Sequence, residues 1–282
     1  MRIVDHSIFG SGAKAIVPEG KDEFYIAYLN SVVALMYLGA LSPTLNYESG
    51  HIASLPVIVS DNDRISNIVK ENIKISKRDW DSFETSWDFQ RHPLLQHAVF
   101  TPQMVAKEEA NGYLTINGIA DAYRHWEQVC NERFNQLKAN EEELNRIFID
   151  IYGLQDELTP EVADKDVTVR KADLGRDIRS FISYAVGCMF GRYSLDVDGL
   201  AYAGGEWDSS KYASFAADKD NIIPICDDEY FEDDIVGLFV EFVKTVYGAD
   251  TLDKNLKFIA DALGGKGQPK DVIRNYFLNE FY

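Results

Sequence analysis

The chain has 282 residues, of which 46% are hydrophobic and 12% aromatic, so it can bury one large core or two medium ones. Its formal net charge of −18 argues against a simple nucleic-acid-binding domain, because duplex binding depends on neutralising phosphates. No apolar run reaches the ~18 residues of a membrane span, and residues 1–5 do not begin the sequence of basic start, apolar core and cleavage site that defines a signal peptide. Three scattered cysteines (Cys130, Cys188 and Cys226) fit reduced thiols better than disulfides or zinc ligands. We therefore expect a cytoplasmic protein.

The first part of the chain is punctuated by glycine and proline and predicts a small β element. A glycine-rich turn at 10–12 lies in β-leaning sequence. Asp22 can cap a single, mostly apolar helix over 24–41. Residues 52–59 are rich in β-branched side chains and predict a short strand with Pro56 at its edge.

The next helix is predicted to begin at Asp61 or Asp63, either of which can cap it. Its inner face has apolar residues at helical spacing. These are Ile65, Ile68, Val69, Ile73 and Ile75. The segment 79–89 is dense in aromatic residues without a simple period, which predicts a packed loop or single turns.

The clearest periodicity is a stripe of apolar residues spaced by three and four. Its members are Ile116, Ile119, Tyr123, Trp126, Cys130, Phe134 and Leu137, followed after a polar gap by Leu144, Ile147, Ile151, Leu154 and Leu158. The stripe predicts one helix over 117–152, roughly 50 Å long, with Thr115 or Asn117 as its cap. The alternative is a break near Asn140 that would give an antiparallel pair.

The last part of the chain predicts a helical region after a polar linker at 160–169. Asp173 can cap a helix that runs to Tyr193, and irregular glycine-rich loops follow over 194–225. Three closing helices are predicted over 232–247, 252–263 and 269–282. The fold class is therefore α+β, mostly α. The final helix is apolar to Tyr282, from which we expect a truncated end.

Acidic and basic residues are unevenly distributed. Residues 193–282 have 18 acids against 8 bases, whereas residues 166–192 have 3 acids against 5 bases and residues 61–110 have 9 against 7. Any DNA contact should come from the two balanced or basic stretches. The acidic final third should face solvent or a basic partner.

Two groups of basic residues are candidate DNA contacts. Lys70, Lys74, Lys77 and Arg78 share one helical face, and Arg176 and Arg179 form a weaker second group. Basic residues at this spacing can track phosphates, which position a protein without reading sequence. The alternative for the first group is a solvated face balanced by Glu71, Asp79 and Asp81.

Other clusters do not predict a chemical site. Six acids within 227–234 could hold a hard cation, but the spacing of a calcium loop is absent, and helix capping explains them better. The five histidines show no zinc-binding spacing, and no nucleophile elbow or phosphate-binding loop is present. We expect no catalytic, cofactor-binding or metal-binding residues in this chain.

Five ordered blocks carry a family resemblance. They are LSPTLNY (41–47), SKRDWDSFETSW (76–87), EELNRIFIDIYGL (142–154), ISYAVGCMFGRY (182–193) and FIADALG (258–264). These blocks resemble the adenine-specific DNA methyltransferases of bacteriophage-exclusion (BREX) systems and, more loosely, type IIG restriction-modification enzymes. The resemblance implies a parent enzyme that uses S-adenosylmethionine to methylate adenine N6 in double-stranded host DNA, and that works with other phage-defence subunits.

The residues that would perform this chemistry are missing. The family's Asn-Pro-Pro-Tyr loop hydrogen-bonds a flipped adenine, but Asn46 and Tyr47 follow Ser-Pro-Thr-Leu. The nearest match to its Phe-x-Gly-x-Gly cofactor loop is 8–12, with Ile8 at the aromatic position and no acidic residue suitably placed downstream. In the family, the catalytic part lies upstream of these blocks. We therefore predict that this chain alone neither transfers methyl groups nor binds S-adenosylmethionine.

The resemblance implies three parts: the end of a target-recognition-like α/β region over 1–110, a helical spacer over 111–160 and a C-terminal helical lobe over 161–282. The leading hypothesis is a non-catalytic portion that positions DNA and partner subunits. The alternative is a protein-interaction module whose acidic C-terminal lobe docks a basic partner without touching DNA.

Overall fold

The computed structural model describes residues 20–42, 47–60, 62–96 and 118–281. Within these ranges the chain is mostly helical and contains no strand. The helices are α1 (Asp22–Asn30), α2 (Val32–Leu41), α3 (Ser49–Ala53), α4 (Asp63–Trp80), α5 (Pro93–Gln96), α6 (Ile119–Tyr152), α7 (Leu174–Met189), α8 (Ile235–Tyr247), α9 (Leu252–Ala262) and α10 (Pro269–Asn279). The mostly helical class is confirmed.

The chain divides into two compact units. The first unit contains the described residues up to Arg78 together with Glu132–Arg170, and the second contains those of Asp79–Asn131 and Lys171–Tyr282. All three cysteines are free thiols. Counted over the described residues, the formal charge is −4 in the first unit, with 11 bases against 15 acids, and −12 in the second, with 14 bases against 26 acids.

The predicted strand over 52–59 is wrong. Ile52 and Ala53 end the short helix α3, and residues 56–60 have no regular secondary structure. The Pro56 carbonyl accepts hydrogen bonds from the hydroxyls of Tyr28 and Tyr152, each at 2.6 Å. These side-chain contacts replace the strand pairing that the β-branched sequence predicts. The β-leaning residues 1–19 lie outside the described residues.

The predicted single helix over 24–41 is interrupted at Ser31. Ser31 has an extended backbone, and its hydroxyl accepts a hydrogen bond from the Ala34 amide, so it caps α2. The two helices meet at an angle of 65°. The bend brings Phe24, Tyr28 and Val33 into one core with Phe148 of α6. The apolar sequence runs on through Ser31, so hydropathy alone does not reveal the bend.

Helix α4 has the predicted apolar face, but its cap is Asn62 rather than Asp63. The Asn62 side-chain oxygen accepts a hydrogen bond from the Arg64 amide at 3.0 Å, and Asp61 lies outside the described residues. Ile65, Val69 and Ile75 are buried, while Ile68 and Ile73 are half-buried on the same side. The helix ends at Trp80, and residues 81–88 form turns, as the aromatic segment predicts. One face of α4 is therefore fixed on the core of the first unit, which leaves the opposite face to solvent.

Helix α6 is continuous from Ile119 to Tyr152, so the alternative of a break near Asn140 is wrong. The helix continues through the polar gap because Asn140 is buried there and both polar atoms of its side chain are hydrogen-bonded. Its amide nitrogen donates to Glu71 at 3.1 Å and to the Asn72 side chain at 2.8 Å, and its oxygen accepts from Gln136. A buried amide with partners on both atoms costs little, and the helix can pass through the gap.

The second unit is built around α7, whose predicted cap is confirmed: the Asp173 side chain accepts from the Arg176 amide at 2.7 Å. Phe181 and Ile182 of α7 pack with Phe239 of α8 in a core that also includes α9 and α10. After α7, Tyr193 stacks on Tyr184 with ring centroids 4.9 Å apart. Gly187 makes this possible, since a Cβ there would lie 2.6 Å from the Tyr193 ring.

Candidate nucleic-acid interface

Lys70, Lys74, Lys77 and Arg78 are all exposed along one face of α4. The opposite face is held by Ile65 and Val69, so the helix cannot rotate these cations away from solvent without opening the core. Lys70 Nζ lies 3.5 Å from the Glu23 carboxylate, and its side chain is 58% exposed. Such a surface ion pair contributes little and can be exchanged for a phosphate.

The three acids that could balance the charge of this face also make contacts of their own. Asp79 is buried, and Asp81 accepts a hydrogen bond from the Ser86 hydroxyl at 2.7 Å. Glu71 accepts from the buried Asn140. From here on, Lys70, Lys74, Lys77 and Arg78 are called the cationic α4 face.

Arg176 is committed to an internal network in the second unit. Its Nε donates to the buried Asp177 at 2.8 Å, and a terminal nitrogen donates to the Lys171 carbonyl. Asp177 also accepts from the Trp126 indole at 3.0 Å. The Arg176 guanidinium lies 5.6 Å from the centroid of the Phe83 ring. If this guanidinium moved to a phosphate, it would leave the buried Asp177 carboxylate without a cation, which costs free energy.

Arg179 is held less tightly. It donates to Glu280 at 3.2 Å and lies over the Tyr276 ring at 5.8 Å from the centroid. Both charged side chains are substantially exposed, so this contact is weaker than the pair of Arg176 with Asp177. The two arginines predicted as a second DNA contact therefore differ in availability.

The acidic segment 227–234 ends in a helix cap. Asp234 is buried, and its Oδ1 accepts from the amides of Val236 and Gly237 at the start of α8. Burial opposes its charge, but the hydrogen bonds from Arg274 and the two amides outweigh it and hold the pKa of Asp234 below its usual value. Among the described residues, no group of three or more His, Cys, Asp or Glu is arranged to hold a metal.

His92 is a buried core residue. Its Nδ1 accepts from the Leu94 amide at 3.3 Å, and its ring packs edge-on against Phe181. Burial lowers the pKa of His92 to about 3, so the ring is neutral at physiological pH. His97, Asn46 and the glycine loop at 8–12 lie outside the described residues. The described residues contain no strand leading through a glycine loop into a helix.

Of the helices in the described ranges, none by itself is long and apolar enough to cross a membrane. Helices α1 and α2 reach that length and composition only when they are counted together across their bend.

Comparison with known proteins shows that the chain is similar to a segment of two adenine-specific methyltransferases. It is 47% identical, over 92% of its length, to the adenine-specific methyltransferase PglX of Lacticaseibacillus casei (strain Zhang). It is also 32% identical, over 98% of its length, to the adenine-specific methyltransferase BrxX of Escherichia coli O9:H4 (strain HS). No family model matches the chain.

The chain spans only a part of these relatives, namely 21% of PglX and 24% of BrxX. The family resemblance seen in the sequence blocks is confirmed by these matches, which extend over nearly the whole chain. Since the larger part of each relative has no counterpart here, the activity of the whole relative does not transfer to this chain by similarity alone.

Proposed function

We propose that this chain is a non-catalytic portion of a site-specific adenine-N6 DNA methyltransferase that acts in phage defence or restriction-modification, where it helps to position double-stranded DNA. The similarity to PglX and BrxX over almost the whole chain supports the methyltransferase context. The sequence contains no Asn-Pro-Pro-Tyr loop, which supports a role outside catalysis. The proposed division into a recognition-like part (1–110), a spacer (111–160) and a C-terminal lobe (161–282) belongs to this proposal.

The main support for the proposed DNA-positioning role is the cationic α4 face. Four cations on one side of a rigid helix present a row of charge that can follow phosphates. The contact would not read bases, since lysine and arginine on phosphates fix register without sequence information. Arg176 and Arg179 stay predicted contacts of the second unit, and we expect Arg179 to contribute more, because Arg176 balances the buried Asp177.

Salt dependence of duplex binding tests this proposal. Binding of the chain to a duplex of about 30 base pairs would be followed by fluorescence anisotropy between about 50 and 300 mM NaCl. Each phosphate contact contributes roughly 0.9 to the slope of log affinity against log salt. Replacement of Lys70, Lys74, Lys77 and Arg78 by Gln should therefore flatten the slope by about three to four.

The matched control removes the same charge elsewhere. Lys254, Lys257, Lys266 and Lys270 are exposed residues of the second unit, and their replacement by Gln should leave the slope near that of the unmodified chain. An equal loss of slope in the two quadruple variants would indicate a general charge effect. An unchanged slope in the α4 variant would remove this face from the DNA interface.

The non-catalytic part of the proposal has its own test. We expect no binding of S-adenosylmethionine and no methyl transfer by this chain alone, the cofactor being bound by other parts of the parent enzyme. Isothermal titration calorimetry that detected micromolar cofactor binding would contradict this expectation. In the parent enzyme, the same chain would act beside other phage-defence subunits in the cytoplasm.

A further inference from the structure

The segment 220–233, which precedes α8, is fixed to the second unit by its backbone. The Ile235 amide donates to the Pro224 carbonyl at 3.1 Å, and Arg274 donates to the Cys226 carbonyl at 2.8 Å. The side chain of Ile223 packs against the main core of this unit. The segment is therefore held in place without a helix or strand of its own.

Its remaining large apolar side chains point outward. Ile222, Ile225, Tyr230 and Phe231 are between 45% and 68% exposed. Single exposed apolar residues are ordinary on a protein surface, but four within ten residues of a fixed segment are not. Tyrosine and phenylalanine are also enriched where proteins bind one another, since they bury a large area with few rotatable bonds.

The charge around these side chains indicates which class of partner can bind to them. Residues 220–233 contain six acids and no base, and Asp227, Asp228, Glu229 and Glu232 are exposed. Arg274, which approaches the segment, does not offset them because it is only 12% exposed and is paired with the buried Asp234. A nucleic acid would bring like charge to this surface and be repelled.

We propose that this acidic apolar surface, made of Ile222, Ile225, Tyr230 and Phe231 with the acids between them, docks a basic amphipathic segment of a partner protein. Apolar side chains of that segment cover Tyr230 and Phe231, and its lysines or arginines face Asp227, Asp228 and Glu229. This inference gives a location to the protein-docking alternative and does not depend on the DNA contact at α4. One chain can thus hold DNA on one helix and a protein on another surface.

The test is selection of random dodecapeptides displayed on phage against the complete chain. Peptides that combine apolar or aromatic residues with lysine or arginine should be enriched, and synthetic copies should bind more weakly as salt rises. The variant Tyr230→Ser/Phe231→Ser should weaken such a peptide about tenfold or more. Neutralisation of Asp227, Asp228 and Glu229 to Asn, Asn and Gln should weaken it and remove most of its salt dependence.

Two control variants separate this surface from a general effect of charge or hydropathy. Leu200→Ser removes another exposed apolar side chain of the same unit, and Glu206→Gln/Asp250→Asn/Asp271→Asn removes three exposed acids. Both should leave peptide affinity unchanged, as should the quadruple α4 variant, whose effect belongs to DNA binding. Enrichment of acidic or neutral peptides, absence of enrichment, or binding that survives the Tyr230/Phe231 variant would each overturn the proposal.

Discussion

Both terminal guanidinium nitrogens of Arg274 donate hydrogen bonds to the carboxylate of Asp234, at 2.8 Å each. Asp234 is completely buried and at the same time caps α8, so one carboxylate joins α10 to the start of α8. Removal of one partner from such a pair leaves an uncompensated buried charge. The pair thus makes the placement of these two helices depend on both side chains.

We predict that Arg274→Met lowers the free energy of unfolding of the second unit by about 3–5 kcal/mol, because Asp234 would stay buried without its cation. The measurement is urea denaturation followed by circular dichroism. Lys257→Met is the control, since its partner Asp261 is exposed and this pair should be worth less than about 1 kcal/mol. Equal effects of the two substitutions would contradict the prediction.

The free energy of unfolding should depend on pH because of the protonation of His92. Its folded pKa is about 3, below the ordinary value of 6.5, so the unfolded chain binds the proton more readily. The stability associated with the neutral ring is present above about pH 6.5 and is lost as the pH falls. Between about pH 7.5 and 5.5 this loss amounts to about 1.4 kcal/mol.

His92→Asn should remove this component of the pH dependence, although it also lowers stability at every pH by the lost ring packing. Asn cannot titrate, and its side-chain oxygen can still accept from the Leu94 amide. The imidazole signal of His92 in a carbon–proton correlation spectrum should stay unchanged from pH 8 to 5 as long as the chain is folded. A midpoint near pH 6.5 for that signal would show the ring to be accessible and would sink the prediction.

Local signals in the sequence predicted most helices, and tertiary contacts explain the failures. Asp173 as a cap and the apolar spacing of α4 and α6 are local, so they were predictable. The bend at Ser31 was missed because the apolar residues continue through it without a period. The prediction of a strand over 52–59 was wrong because tyrosines from α1 and α6 hold that segment in an irregular conformation.

The same distinction applies to the candidate site. The cationic α4 face follows from four residues at helical spacing, so the sequence was sufficient to find it. The Asp177 carboxylate that accepts from Arg176 is also held by the Trp126 indole, 51 residues away in sequence, and this long-range contact could not be predicted. Tyr230 and Phe231 lie within an acidic run that predicts a helix cap, and only their exposure distinguishes them as a surface.

The start of α6 supplies a third prediction. Neither Thr115 nor Asn117, the caps predicted from sequence, lies within the described residues, and the Ile119 amide donates instead to the Asn255 side chain of α9 at 3.1 Å. The Asn255 side chain in turn donates to the Thr251 hydroxyl. Asn255→Ala should cost about 1–3 kcal/mol, since the buried Ile119 amide would lose its partner.

The effect of Asn255→Ala is measured as the shift of the urea denaturation midpoint, with the dependence of the free energy of unfolding on urea concentration held at one common value. Asn275→Ala on the exposed side of α10 is the control and should fall within about 0.5 kcal/mol of the unmodified chain. Gly118→Ala should also be destabilising, because its Cβ would lie 2.6 Å from the Asn255 side-chain oxygen. If neither Asn255→Ala nor Gly118→Ala changed the stability, this contact would not stabilise the start of α6.

The last prediction concerns residues 56–60, which the tyrosines of α1 and α6 hold in place. Tyr152 donates to the Pro56 carbonyl and accepts from the Ile58 amide at 3.0 Å. In Tyr152→Phe both hydrogen bonds are lost while the ring can still stack on Tyr28, whose centroid is 5.8 Å away. We expect faster amide hydrogen exchange at Ile58 and Val59, with the core of the first unit unchanged. Tyr25→Phe, whose ring packs edge-on against Phe24, should leave exchange at Ile58 as it was. Unaltered exchange at Ile58 in the Tyr152 variant would mean that packing alone, rather than the hydroxyl, holds this segment.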